Sequence, residues 1–248
     1  AKTRVIKYLH EKLGFDVLAF ESGFYDVPKA WDFLKGGESA DSAMRRGVFN
    51  VWSGSSQLQP LITYLGAKAK SPHPLELTGF DCNFTGSASR EFLGADLRHF
   101  LASHAIDTAS VPAWSAAARM LEGVLTGSWT AISREEFTQY LASWTSLRQR
   151  VDLLPAQDLE VRYWRQLLKS AGVPATSRFT AMLDQRAADS LHVPMNMSAL
   201  LSTRDAQMGD NLLWLARERY PTRKIIVWAA TYHVMHGSGL IGATTSRS

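Results

Sequence analysis

Three short apolar runs in this chain each end at an ionisable residue, and helical patterns separate them. "FDVLAFES", about residues 15–21, rises into Glu21. "PLELTGFDCN" holds a second run, about 75–81, rising into Asp81. "KIIVWAATYHVMHG" holds a third, about 224–230, followed by Thr231, Tyr232, His233 and then His236. Runs this short and this continuously apolar read as strands buried on both faces. Alternating with helices, they predict an α/β fold: a mostly parallel sheet covered by helices.

The helical signals fit between them. Val5, Leu9 and Leu13 recur at i, i+4, i+8 and are followed by Gly14, a residue favoured just past a helix end. "VPKAWDFLKGG" predicts a short helix closed by glycines, and "SQLQPLITYLGAKAK" another. From residue 86 to about 199 the 3.6-residue period dominates. Phe137, Leu141, Trp144, Leu147 and Val151 form one stripe, and "DLEVRYWRQLLKSAG" forms a second that Gly172 and Pro174 should end. Strand signals are scarce there. The expected organisation is a discontinuous α/β core, 1–85 and 200–248, holding a large all-helical insertion, 86–199. Ser202 is placed as the N-cap of the last helix, with Asp205 as its box partner and Met208, Leu212 and Leu215 as its buried stripe. Pro221 should stop it.

Composition narrows the class. Of 248 residues, 46% are hydrophobic and 20% charged, enough apolar mass for a packed core. The net charge of +4 is spread without a Lys/Arg block, so no nucleic-acid partner is expected. No apolar run approaches the ~20 residues of a membrane-spanning helix, and no membrane partner is expected. A single cysteine, Cys82, excludes an internal disulfide and suits a reducing, cytoplasmic setting. The opening "AKTRVIKYLHEKLG" reads as a helix already under way and carries no initiator Met. A fragment of a longer chain is therefore expected. Oligomeric state is not legible.

In open α/β sheets, ligands bind beyond the carboxyl ends of the strands. Glu21, Asp81 and His233 should share that edge. A strand-end carboxylate alone is more often a helix cap or loop anchor. Three aimed at one edge favour chemistry. A neutral imidazole beside a carboxylate can take a proton from water, which suits hydrolysis without a covalent intermediate. A metal held by His233, His236 and a carboxylate is the competing use, with a weaker signal. Cys82 as a nucleophile ranks below inert packing. No cofactor motif is present. Four tryptophans of the helical stretch, Trp114, Trp129, Trp144 and Trp164, are expected to be mostly core.

Three segments together resemble the erythromycin esterase family: "KTRVIKYLHEKLGFDVLAFESGFYD", "LELTGFDCN" and "TRDAQMGDNLLWLARERYPTRKIIVWAATYHV". The resemblance implies an α/β core with a helical insertion and hydrolysis of an ester or macrolactone by water. It places Glu21 on the family's strand-end active-site glutamate and Lys2 where the family has an active-site Arg or Lys. His233 falls on the second histidine of W-A-H-N-x-H, and Arg204 and Asp205 on the family's R-D. Glu21 and His233 are thus the catalytic candidates, with Lys2, Asp81, Arg204 and His236 as substrate-binding candidates. Lys2 beside Glu21 would hold the carboxylate ionised. Two departures stand out. The family's L-G-E-x-x-H-G motif would precede Ala1, and the first histidine of W-A-H-N-x-H is Ala230. They open an alternative, a homologue that binds small molecules with impaired catalysis.

Overall fold

The computed structural model describes residues 2–126, 133–189 and 197–231. In chain order the elements are α1 (Lys2–Leu13), β1 (Val17–Gly23), α2 (Asp26–Gly36), α3 (Ala40–Gly47), α4 (Asn50–Ser53), α5 (Gln59–Lys68), β2 (Glu76–Asp81), α6 (Gly94–Ser103), α7 (Trp114–Thr126), α8 (Arg134–Asp152), α9 (Leu159–Asp189), α10 (Met197–Trp214) and β3 (Ile225–Trp228). The three strands form one sheet in the order β2-β1-β3, parallel throughout. The α/β expectation holds.

β1 is the central strand and is wholly buried. Its side chains divide the core. Val17 and Ala19 face one cluster, which holds Phe80 and the buried faces of α6–α10. Leu18 and Phe20 face the other, with Ile6 of α1, Met44 of α3, Leu61 and Leu65 of α5, and Ile226. This two-sided burial is why the strands read as continuous apolar runs rather than alternating ones.

Several local expectations shift. α1 buries Ile6 and His10, while Val5 and Leu13 of the expected stripe face solvent. The buried face carries a polar member because His10 Nδ1 hydrogen-bonds the Tyr64 hydroxyl at 2.6 Å. α2 closes as expected: Gly37 takes φ +103°, and its N–H donates to Leu34 O. In α8 the buried stripe is Tyr140, Trp144, Leu147 and Val151, with Leu141 exposed. A capping box between Ser133 and Glu136 starts that helix.

α9 is not ended by Gly172 and Pro174 but runs through both to Asp189. Gly172 serves packing instead. A Cβ there would stand 2.7 Å from Trp144 Nε1, and that indole donates to Leu168 O at 3.2 Å. Ser202 is not an N-cap, because α10 begins at Met197. The polar Ser202–Asp205 pattern imitates a local start inside a longer helix. The helix stops before Pro221 as expected, through a π-turn over Leu215–Arg219. β3 is shorter than expected and lies at an edge, with Val227 exposed.

One irregularity shapes the sheet. Phe20 pairs with Gly79 and Gly23 with Asp81, so β1 carries one extra residue at Glu21–Ser22. Such a bulge re-aims side chains at a strand end. It also drives the two backbones together: a Cβ on Gly79 would stand 2.5 Å from Ser22 O and closer still to Gly23 O. Asp26, fully buried at the start of α2, locks the turn by accepting the N–H groups of Thr85 (3.0 Å) and Ser89 (2.7 Å). Burial pushes its carboxyl pKa up, and those amide bonds oppose the shift. Gly79→Ala is therefore expected to cost about 2–4 kcal/mol, read as a lower urea midpoint, since rigid backbone carbonyls cannot yield. An unchanged midpoint would show that the bulge has slack.

Candidate active site

The bulge and the ends of β2 and β3 bring backbone and side chains to one guanidinium. Glu21 stands at the bulge and Asp81 ends β2; both are buried, at 6% and 2% exposure. Arg204 reaches them from α10. Its Nε donates to Asp81 Oδ1 (3.1 Å) and its Nη2 to Asp81 Oδ2 (2.6 Å), a two-pronged fork. The same Nη2 donates to Glu21 Oε1 at 3.0 Å. Glu21 Oε2 accepts the N–H of Ala230 at 2.7 Å, just past the end of β3. Asp81 Oδ1 also takes the Asn83 N–H at 3.0 Å. All three strand ends are thus stitched to α10 through charge-assisted bonds.

The charges hold one another in place. Burial alone would make Arg204 less basic, but the bonds and fields of Asp81 and Glu21 outweigh it, and its pKa is raised. Among the described residues no group of three or more His, Cys, Asp or Glu could hold a metal ion. Arg178 of α9 feels both Asp81 and Cys82 and brings a second guanidinium to this edge. Burial lowers its pKa, partly offset by those two groups.

α10 is itself held at a fixed height. Asn211 lies two turns beyond Arg204 and is fully buried. Its Nδ2 donates to Phe80 O and Ser170 Oγ, each at 2.9 Å, and its Oδ1 accepts from Gln166 (2.7 Å) and Gln207 (3.0 Å). Phe80 immediately precedes Asp81, so this bond sets the level at which Arg204 meets its partners. Every polar atom of the Asn211 side-chain amide is engaged, as a buried network requires.

The sequence-derived candidates fall as follows. Glu21, Asp81 and Arg204 meet at one rim. Arg204 stands mid-helix, not at a helix start. Lys2 stands over the end of β3: its ammonium lies 4.7 Å from the Trp228 ring centroid and 6.0 Å from that of Trp52. The cation on Glu21 is Arg204 rather than Lys2. His233, His236 and Trp129 lie outside the described residues. Trp144 and Trp164 are core, and Trp114 packs partly buried against it. Sequence reasoning missed Asn211, Gln166, Gln207, Asp26 and Arg178. The available signal was Asn211 in the same buried stripe as Met208 and Leu215, a polar residue at an apolar position.

With this geometry in hand, the chain compares directly with known proteins. The family model for erythromycin esterase matches residues 10–245. The chain belongs to the erythromycin esterase family. The Bacillus subtilis (strain 168) protein "Putative hydrolase YbfO" is 28% identical over 246 residues, covering 94% of this chain and 52% of that protein. Among solved structures, an erythromycin esterase EreC histidine-to-asparagine mutant in its open conformation superposes with TM-score 0.64 at 17% identity, over 94% of this chain and 57% of that one. A succinoglycan biosynthesis protein gives 0.58 at 13% identity, over 93% and 52%. A Bacillus cereus protein gives 0.61 at 17%, over 94% and 53%. These structural likenesses show a shared fold. The chain spans about half the length of the relatives it matches.

Cys82 follows Asp81 at this edge, yet it is built to be inert. It is buried, and burial together with the Asp81 charge pushes its thiol up to about 12. A raised thiol pKa keeps the neutral form, so thiolate is scarce until pH nears that value. Ellman's reagent at pH 8 is expected to leave the native protein unlabelled while titrating one thiol in denaturant. Rapid labelling of the native form would contradict this burial.

Proposed function

We propose that this chain is part of a hydrolase that cleaves an ester or lactone of a small molecule through water activated by a general base. The observation that carries the reading is the buried Glu21–Arg204–Asp81 bridge at the carboxyl rim of the sheet, in a chain of the erythromycin esterase family. No described helix is long and apolar enough to cross a membrane, which fits a substrate met in water.

The roles follow from chemistry. Water must lose a proton as its oxygen bonds to the acyl carbon. The carbonyl oxygen then carries negative charge until the carbon–oxygen bond to the leaving alcohol breaks and that alcohol regains a proton. We assign Arg204, partly exposed at its side chain, to stabilise that oxyanion. Glu21 keeps Arg204 aligned and fixes the backbone at Ala230, three residues before His233. Through that anchor Glu21 would help present His233, to which we assign a supporting part in proton transfer beside the histidine of the family's L-G-E-x-x-H-G motif. Asp81 supplies the second prong that fixes Arg204's rotation. Lys2 and His236 remain proposed substrate contacts, and the long helices α7–α9 are proposed to shape the substrate's apolar surroundings.

One observation favours a second reading. By the family resemblance Ala230 falls where the first histidine of W-A-H-N-x-H stands, and its backbone N–H is already committed to Glu21. A protein that binds lactones without opening them would fit that replacement. The two readings part on turnover. The purified protein, assayed against macrolides and simple aryl esters, should release acid. Glu21→Gln should lower kcat/KM at least ~100-fold, the scale of misplacing an oxyanion donor, with the fold intact by circular dichroism. Saturable lactone binding without turnover would select the binder. Wild-type turnover in Glu21→Gln would remove the bridge from the mechanism.

A further inference from the structure

A cavity of about 410 Å³ lies beside the start of β2. Its lining includes Glu76, Leu77 and Thr78 but none of Glu21, Asp81 or Arg204. Leu77 lies four residues, ~13 Å along the strand, before Asp81, while Phe24 borders the rim through its N–H, which donates to Asp81 O at 2.9 Å. The volume falls in the ordinary range for small-molecule sites.

Its walls are aromatic. Phe24 stacks on Tyr163 with centroids 5.5 Å apart and ring planes 17° from parallel, and Trp214 meets Phe24 edge-on at 5.5 Å. Tyr25 and Trp31 of α2 line the same space. Most of the charged groups are paired within the protein, while Glu160 and His99, which also line the space, carry no ion pair among the described residues. Lys29 and the Tyr25 hydroxyl both bind Asp96, Lys35 lies 3.3 Å from Asp32, and Arg219 lies 3.7 Å from Glu76. A charged ligand would find no uncompensated counter-ion among these pairs. The cation positions on the aromatic faces are also taken: Lys29 lies 5.6 Å from the Tyr25 ring and Lys35 5.8 Å from that of Trp31.

What remains are apolar ring faces bordered by donors and acceptors of both kinds. Tyr163 lines this space, and its hydroxyl makes no hydrogen bond to another described residue. Burial raises its pKa, so it stays a donor. A sugar ring has the complementary chemistry. Its C–H face packs on an aromatic ring, and each hydroxyl both donates and accepts. We infer that this cavity binds an uncharged hexopyranose, as a free glycoside or as the sugar of a larger molecule.

The test titrates methyl β-D-glucopyranoside, methyl α-D-mannopyranoside and phenyl β-D-glucopyranoside into the purified protein. Tryptophan fluorescence and saturation-transfer NMR report binding. At least one glycoside should saturate at millimolar concentration. Tyr163→Phe, which removes only an oxygen, should weaken it at least ~5-fold, the scale of one hydrogen bond. Glu21→Gln should leave it unchanged, so the result is independent of whether the rim is hydrolytic. Three outcomes would each overturn the inference: no glycoside saturates; tetramethylammonium or phenyl phosphate binds more tightly than every glycoside; or Tyr163→Phe binds like the wild type.

Discussion

Arg204 is the group on which the described site depends. A guanidinium on one helix satisfies two carboxylates delivered by two parallel strands, and one of those carboxylates captures the backbone beyond a third strand. Removing water from two acids is costly unless a cation and hydrogen bonds replace it. Here the replacement is complete within the chain. The sheet edge can therefore keep Glu21 and Asp81 buried side by side. Without the cation, the two would repel at the most buried end of the sheet.

That arrangement needs accurate placement from both sides. On the strand side, the extra residue at Glu21–Ser22 and the missing side chain of Gly79 let β1 and β2 close up where the carboxylates emerge. On the helix side, Asn211 ties α10 to Phe80 O, while Gln166 and Gln207 hold its other amide atom. Lys169 and both glutamines also converge on Asp210 at the outer end of that network. Hydrogen bonds are directional, so this network fixes the height and rotation of α10 more tightly than apolar packing would. The buried polar groups specify geometry, and the two apolar clusters on either face of the sheet supply the bulk of the burial.

Much of this was legible beforehand because burial on both faces leaves an unmistakable mark. The apolar runs before Glu21 and Asp81 located two strands to within two residues, and the family resemblance named Glu21 and Arg204, which the structure brings into contact. What escaped were features whose cause is tertiary. Gly172 and Pro174 look like a helix end, but Trp144 packing over Gly172 explains that glycine inside a continuous helix. Ser202 and Asp205 look like a helix start only because local capping patterns recur inside helices. Lys2 looks like a partner for Glu21, yet it lies over the Trp228 ring while Arg204, remote in sequence, takes the carboxylate. Asn211 was hidden for the opposite reason: a polar residue in an apolar stripe reads as surface until its four partners are seen.

The most direct measurement is a double-mutant cycle in urea between Arg204→Met and Asp81→Asn. Removing Arg204 alone strands two buried carboxylates and should cost ~3–5 kcal/mol. Neutralising Asp81 in that background should relieve part of the loss, so the double variant should be more stable than the sum of the singles by ~1–3 kcal/mol. Additivity within ~0.5 kcal/mol would mean the two groups do not meet as described, and the bridge could no longer be the centre of the site.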